Sequence, residues 1–213
     1  PQQKQRAQQV TAMLNKFLRK RITSPGGKLQ LTVRPAPRAD LGYFSEVYIA
    51  ARPAKVKKLM ISDFAMRARN VKLSVAALMN AEDREILTTH SQTTLRAVVT
   101  EQNLQSMLAR GRHTANMGLK VNFLRDRIYI AGNANWGMLK GPVAGTGKLR
   151  LGADRKVYFD ILSMKMNGIE APQMIKNNFS SRINPLIDTD DLPFQPRFKS
   201  IRFVGDSAIL TAG

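Results

Sequence analysis

Residues 119–166, LKVNFLRDRIYIAGNANWGMLKGPVAGTGKLRLGADRKVYFDILSMKM, alternate apolar and polar side chains over a longer span than any other part of the chain. Their reading decides the fold. Leu119, Val121 and Phe123 share one face of a first strand, and Arg125-Asp126-Arg127 turns into a second strand carrying Ile128 and Ile130 on one side. Lys120, Asn122, Tyr129 and Asn133 take the opposite face. After a corner marked by Gly132, Gly137 and Gly141, Val143 to Leu151 alternates again, Gly152-Ala153-Asp154-Arg155 turns, and Val157, Phe159 and Ile161 fill one face of a fourth strand. A period of two signals antiparallel strands with one buried face. Glycine inside a strand marks a bend or a close backbone approach, so Gly145 and Gly147 predict strong curvature.

A curved meander needs something to wrap around, and the two ends of the chain offer amphipathic helices. From Gln5 to Arg21, the residues Val10, Met13, Leu14, Phe17 and Leu18 recur at the spacing of one helical stripe, and Ser24-Pro25-Gly26-Gly27 stops the pattern. Toward the other end, Pro172 stands at a predicted first helical position, with Ile175, Phe179, Ile183 and Leu186 at spacings of four, four and three, and Asn184-Pro185 breaks or kinks the end of this helix. Between them, Val47, Ile49 and Ala51 alternate up to Arg52-Pro53, a connection carries Lys55, Lys57 and Lys58, and Leu59 to Leu73 reads as one further strand. Ser74 caps a short helix, Ile86 to Val99 returns to strand, and Thr100 caps a helix with stripe Leu104, Met107 and Leu108 ending at Gly111. The chain closes as a hairpin, Phe198 to Val204 and Ser207 to Ala212. The predicted class is α+β: a highly curved antiparallel sheet wrapped around long amphipathic helices, in one domain over residues 1–213 with residues 1–4 disordered.

The 34 Lys and Arg outweigh the 15 Asp and Glu, for a formal charge of +19, and the excess is uneven. Residues 1–72 hold 16 basic and 3 acidic side chains, and the rest of the chain 18 and 12. Such a field draws polyanions: anionic lipid, nucleic acid or acidic cell-wall polymer. The absence of cysteine removes disulfides, thiolate catalysis and cysteine-ligated metal. His90 and His113 fall on unlike elements without cysteine partners and suggest neither a zinc site nor a histidine-based triad. Asp188, Asp190 and Asp191 lack the spaced glycine and distal glutamate of a calcium loop and read as a solvated acidic loop. Gly145-Thr146-Gly147-Lys148 lacks the spacing of a phosphate-binding loop and reads as strand. Trp136 is expected to anchor the corner of the meander. No catalytic residue, metal or cofactor is expected.

Two segments carry a resemblance. The strand leading into Val99-Thr100-Glu101-Gln102-Asn103-Leu104, and Ile183-Asn184-Pro185-Leu186-Ile187-Asp188 continuing through Leu192-Pro193-Phe194 to the final hairpin, resemble the LmeA-like family of bacterial envelope proteins. The resemblance in element order runs from the first helix to Ala212. It implies a fold related to the tubular lipid-binding (TULIP) proteins, phospholipid binding without catalysis, and a place outside the cytoplasm, in the bacterial envelope or periplasm. The chain begins at Pro1 without methionine, so a targeting segment or anchor is expected upstream of it.

The family supplies no compact set of ligand-contacting side chains, so the expected site comes from patterning. The apolar lining is Leu14, Phe17 and Leu18 on the first helix, Phe123, Ile128, Ile130, Phe159 and Ile161 on the meander, Ile175, Phe179 and Ile183 on the late helix, and Phe203 on the final hairpin. Arg52, Lys55, Lys57 and Lys58 are expected to meet lipid phosphates and an anionic membrane surface. Two other readings stand beside phospholipid binding. One is polyanion or nucleic-acid binding by the basic first third, which lacks a recognised motif and interleaved aromatics; the other is a structural envelope protein with a filled core. The sequence sets no oligomeric state.

Overall fold

The computed structural model describes residues 2–80, 86–89, 92–112, 114–136 and 139–213. His90, His113 and the Trp136 side chain lie outside the described residues. In chain order the elements are α1 Gln2–Arg21, β1 Lys28–Pro35, β2 Tyr43–Arg52, β3 Ala54–Val56, β4 Leu59–Ile61, β5 Asp63–Leu73, α2 Val75–Asn80, β6 Leu87–Thr89 and β7 Gln92–Thr100. There follow α3 Glu101–Ala109, β8 Lys120–Phe123, β9 Ile128–Trp136, β10 Leu139–Leu151, β11 Lys156–Met166, β12 Ile169–Glu170, α4 Gln173–Ile183, β13 Ile187–Asp188, β14 Phe198–Val204 and β15 Ser207–Ala212.

Among the described residues this is an α+β fold of four helices and curled antiparallel sheet. The strands divide. One sheet runs β1-β2-β5-β7-β15-β14, with β6 beside β5; a second runs β12-β11-β10-β9-β8, with β13 beside β11; β3 and β4 form a separate hairpin. The meander of residues 119–166 therefore lies in a sheet separate from the larger one, and the helices do not share a single concave face. Helix α1 lies against β1, α2 and the short 3₁₀ turn Ala39–Leu41, whereas α4 lies against β11. Of the two helices expected to be long, α1 has 20 residues and α4 has 11.

The curvature has a local cause. The β10–β11 register shifts between Thr146 and Gly147, and a Cβ at Gly147 would sit 2.4 Å from Phe159 Cζ and 2.6 Å from the Asp160 carbonyl oxygen. The ring of Phe159, 2% exposed, passes over a backbone that has room for it only because residue 147 has no side chain.

Several boundaries move, each for a hydrogen-bonding reason. Leu59 to Leu73 is two strands, because at Ser62 the chain leaves the hairpin for the large sheet: Ser62 N–H donates to the Val98 carbonyl at 2.8 Å and its hydroxyl to Asn103 Oδ1 at 2.7 Å. Lys57 and Lys58 form the tip of the β3–β4 hairpin. Pro172 precedes α4 as its cap, and Leu186 falls beyond the helix, because Asn184 adopts an extended conformation and Pro185 has no N–H to continue it. Residues 2–4, expected outside the first helix, are its first turn. Thr100 caps α3 as expected, in a reciprocal box with Asn103: Asn103 N–H donates to Thr100 Oγ1 at 3.2 Å and Thr100 N–H to Asn103 Oδ1 at 3.1 Å.

Helix α3 also closes an edge. Phe123 N–H donates to the Glu101 carboxylate at 2.5 Å and Val121 N–H to Gln105 Oε1 at 3.4 Å, so β8 spends its outer amides on the helix instead of exposing them to another strand.

Candidate functional site

A cavity of about 770 Å³ opens between the large sheet, the β3–β4 hairpin and the segment that follows α4. Its floor is the inward face of β7 and β15, where alternation turns Ala97, Val99 and Leu210 away from solvent. Val56, Leu59 and Ile61 of the hairpin form one wall. The end of α3, through Met107 and Leu108, forms a second, and Leu186, Ile187 and Leu192 form the third. At its inner end a small apolar recess of about 20 Å³ shares Leu59, Val99, Leu186, Ile187 and Leu210 with it and reaches Phe123, Leu149 and Val157.

Charge gathers on the same lining. Lys57 and Lys58 stand at the hairpin tip, Arg112 follows α3, and Arg182 sits in the last turn of α4, against the carboxylates Asp188 and Asp191. Both acids are engaged. Lys57 Nζ donates to Asp191, and Lys156 Nζ lies 3.2 Å from Asp188, whose carboxylate holds the Lys156 ammonium above its ordinary range. Arg155 lies 3.7 Å from Asp190. The acidic loop read as merely solvated is thus tied at all three carboxylates to a cation, and part of it is a 3₁₀ turn, Thr189–Asp191. Among the described residues, no cluster of three or more acidic, histidine or cysteine side chains is placed to hold a metal.

The twelve apolar side chains expected to line a single groove are distributed. Ile183 lines the large cavity, and Phe123 the recess behind it. Leu14 and Phe17 border a space of about 30 Å³ beside Phe194, while Leu18 is buried. Ile130, Phe159, Ile161 and Phe179 surround a space of about 10 Å³ beneath α4, and Ile128 and Ile175 are buried in the core. Phe203 meets the Phe123 ring edge to face at 5.2 Å. The four expected cations separate as well. Lys57 and Lys58 reach the cavity, Lys55 is on β3, and Arg52 lies on the far side of the large sheet against Asp63.

The residues that make the cavity were mostly legible as apolar, yet not as its lining. Val99, Leu210, Met107 and Leu108 all belong to recognised strands or stripes, but periodicity reports burial and not whether the buried face meets another side chain or a void. Arg112 and Arg182 carried no signal at all, since helix ends bring them to the same opening.

The model of the LmeA-like phospholipid-binding family matches residues 15–213, from the middle of α1 to the end of the chain. The chain belongs to the LmeA-like family. The match spans both sheets, the capped α3, and the segment after α4 that walls the cavity. Membership in the LmeA-like family points to lipid as the ligand class. No curated protein and no solved structure matches the chain.

Proposed function

We propose that this protein binds a phospholipid in the 770 Å³ cavity, with acyl chain against Val99, Leu186, Ile187 and Leu210 and the phosphate at the cationic opening formed by Lys57, Lys58, Arg112 and Arg182. The observation that carries the reading is the joining of an apolar interior to a basic mouth in a chain of the LmeA-like phospholipid-binding family. Its volume is within the roughly 300–1,000 Å³ common for ligand sites. Burying tails at about 25 cal/mol per Å² supplies affinity without a polar contact, while the cations select for a phosphate. Binding is reversible carriage rather than chemistry: lipid enters and leaves through the opening, at an anionic membrane, outside the cytoplasm.

Native mass spectrometry of the purified protein, followed by organic extraction, tests this. The expected result is a stoichiometric phospholipid that exchanges with fluorescent phospholipid in vesicles. A protein that carries none and takes up none overturns it.

A further inference from the structure

The outer face of the large sheet, turned away from α1 and the cavity, is an arginine field. Antiparallel register places Arg34, Glu46 and Arg69 in one row across β1, β2 and β5, and Arg67 two residues along from Arg69. A second row sets Lys28 opposite Arg52 on β1 and β2, and runs Asp63, Val98, Ile209, Arg202 from β5 to β14 across the same sheet. Arg96 stands between them on β7, opposite Ala65. Six arginines thus share a face with two strand carboxylates, from β1 to β14, a width of roughly 24 Å at ordinary strand spacing.

The two acids act as hubs. Glu46 lies 3.6, 3.5 and 4.0 Å from Arg34, Arg67 and Arg69, and Asp63 lies 2.8 and 3.0 Å from Arg52 and Arg96. The carboxylates are 16% and 25% exposed and the arginines 45% or more, so the acids sit low and the guanidinium groups stand above them. Exposed ion pairs contribute little to stability, so the fold does not account for an array of six arginines and two carboxylates. A guanidinium held in place by a carboxylate keeps further N–H groups for a second anion, as phosphate recognition requires.

We infer that this outer face docks on an anionic lipid bilayer, at a surface separate from the cavity opening. A bilayer presents phosphates in two dimensions, and the arginines are spread in two dimensions rather than along a groove. Single-stranded nucleic acid needs open aromatic platforms, but the tyrosines on this face are covered. Arg67 lies over Tyr48 at 5.4 Å, and Lys72 and Arg38 both lie over Tyr43 at 5.3 Å. The inference does not depend on what fills the cavity.

The experiment is co-sedimentation with neutral phosphatidylcholine vesicles and with vesicles containing phosphatidylglycerol, over a salt series. In the Arg67→Gln, Arg96→Gln double variant each carboxylate keeps an arginine partner, which protects the fold. Binding to the anionic vesicles should fall about 25-fold at low salt, near fivefold per arginine. Glu46→Gln should strengthen it by about fivefold. Unchanged anionic-vesicle binding in both variants overturns the inference, as does loss of binding to a single-stranded oligonucleotide with normal vesicle binding. Uptake of fluorescent phospholipid is measured beside these. A protein that takes up no lipid, yet loses vesicle docking on substitution, sinks the cavity reading and sustains this one.

Discussion

Asn184 and Phe159 hold each other through two hydrogen bonds: the Phe159 N–H donates to Asn184 Oδ1 at 2.7 Å, and Asn184 Nδ2 donates to the Phe159 carbonyl at 3.0 Å. A side chain here does what a neighbouring strand would do. On this side β11 pairs with β13 at Lys156 and Val157 and with β12 at Lys165 and Met166, and the amide fills part of the gap between them. Asn184→Ala leaves two backbone groups of a nearly buried residue unpaired. An orphaned group costs about 1–3 kcal/mol, so we expect a loss of about 2–4 kcal/mol in denaturant unfolding. A change below half a kcal/mol would mean that water replaces the amide.

Filling the cavity should separate lipid binding from stability. Met107 and Ile187 are half-buried and line the opening. Trp at both positions should cut phospholipid uptake severalfold while unfolding moves by under about 1 kcal/mol, because the added volume enters empty space. Phe159→Ala should behave in the opposite way and cost about 3–5 kcal/mol, as for a ring removed from a packed core. Equal stability losses for the two variants would place the tryptophans in a filled interior.

Across the opening, the Lys57–Asp191 ion pair joins the hairpin tip to the 3₁₀ turn after β13. Its side chains are 66% and 29% exposed, and an exposed pair contributes at most about 1 kcal/mol to stability. Asp191→Asn should therefore leave the unfolding midpoint almost where it is. It should also speed the release of fluorescent phospholipid, because hairpin and turn are no longer tied. Stopped-flow transfer to acceptor vesicles reads this, and an unchanged release rate would show that the pair does not gate exchange.

Asp63 gives a pH signature. Its hydrogen bond from Arg52, with the charges of Arg52 and Arg96, holds the carboxyl below its ordinary value, against a smaller opposing effect of burial. A depressed folded value means that the carboxylate contributes stability above the unfolded value of about 3.9, lost as pH falls through the lower folded value. Thermal unfolding of Asp63→Asn below about pH 4 should lack that part of the acid destabilisation. Parallel acid limbs for the two proteins would assign the acid sensitivity to other carboxylates.

Strands were the most legible part of this chain. The final hairpin has the ends that alternation assigns, and the capping residue Thr100 is where its hydroxyl is needed. Partnership was not legible. Nothing in residues 119–166 says that their neighbours on either side form a second sheet, because alternation gives the buried face of a strand but not the strand beside it. The same gap hid the site. Phe159 read as an inward residue and Val99 as part of a strand, yet the Phe159 ring packs over Gly147 while the Val99 side chain borders a void. Arg52 and Lys57, close in sequence and read as one basic cluster, stand on opposite sides of the protein's wall because the chain turns between them into the β3–β4 hairpin.

Strand β7 belongs to that wall. Arg96 points outward among the guanidinium groups, and Ala97 and Val99 point inward to the cavity floor, so consecutive residues face outer solvent and cavity in turn. Substitutions on one side can accumulate without touching the other. Insertions cannot. Adding or removing a single residue ahead of Arg96 would reverse every position that follows, setting a guanidinium into the apolar floor and valine among the arginines. Between Gln92 and Thr100, composition is free to vary face by face while length is fixed, and homologous chains should differ there by exchange and never by a gap.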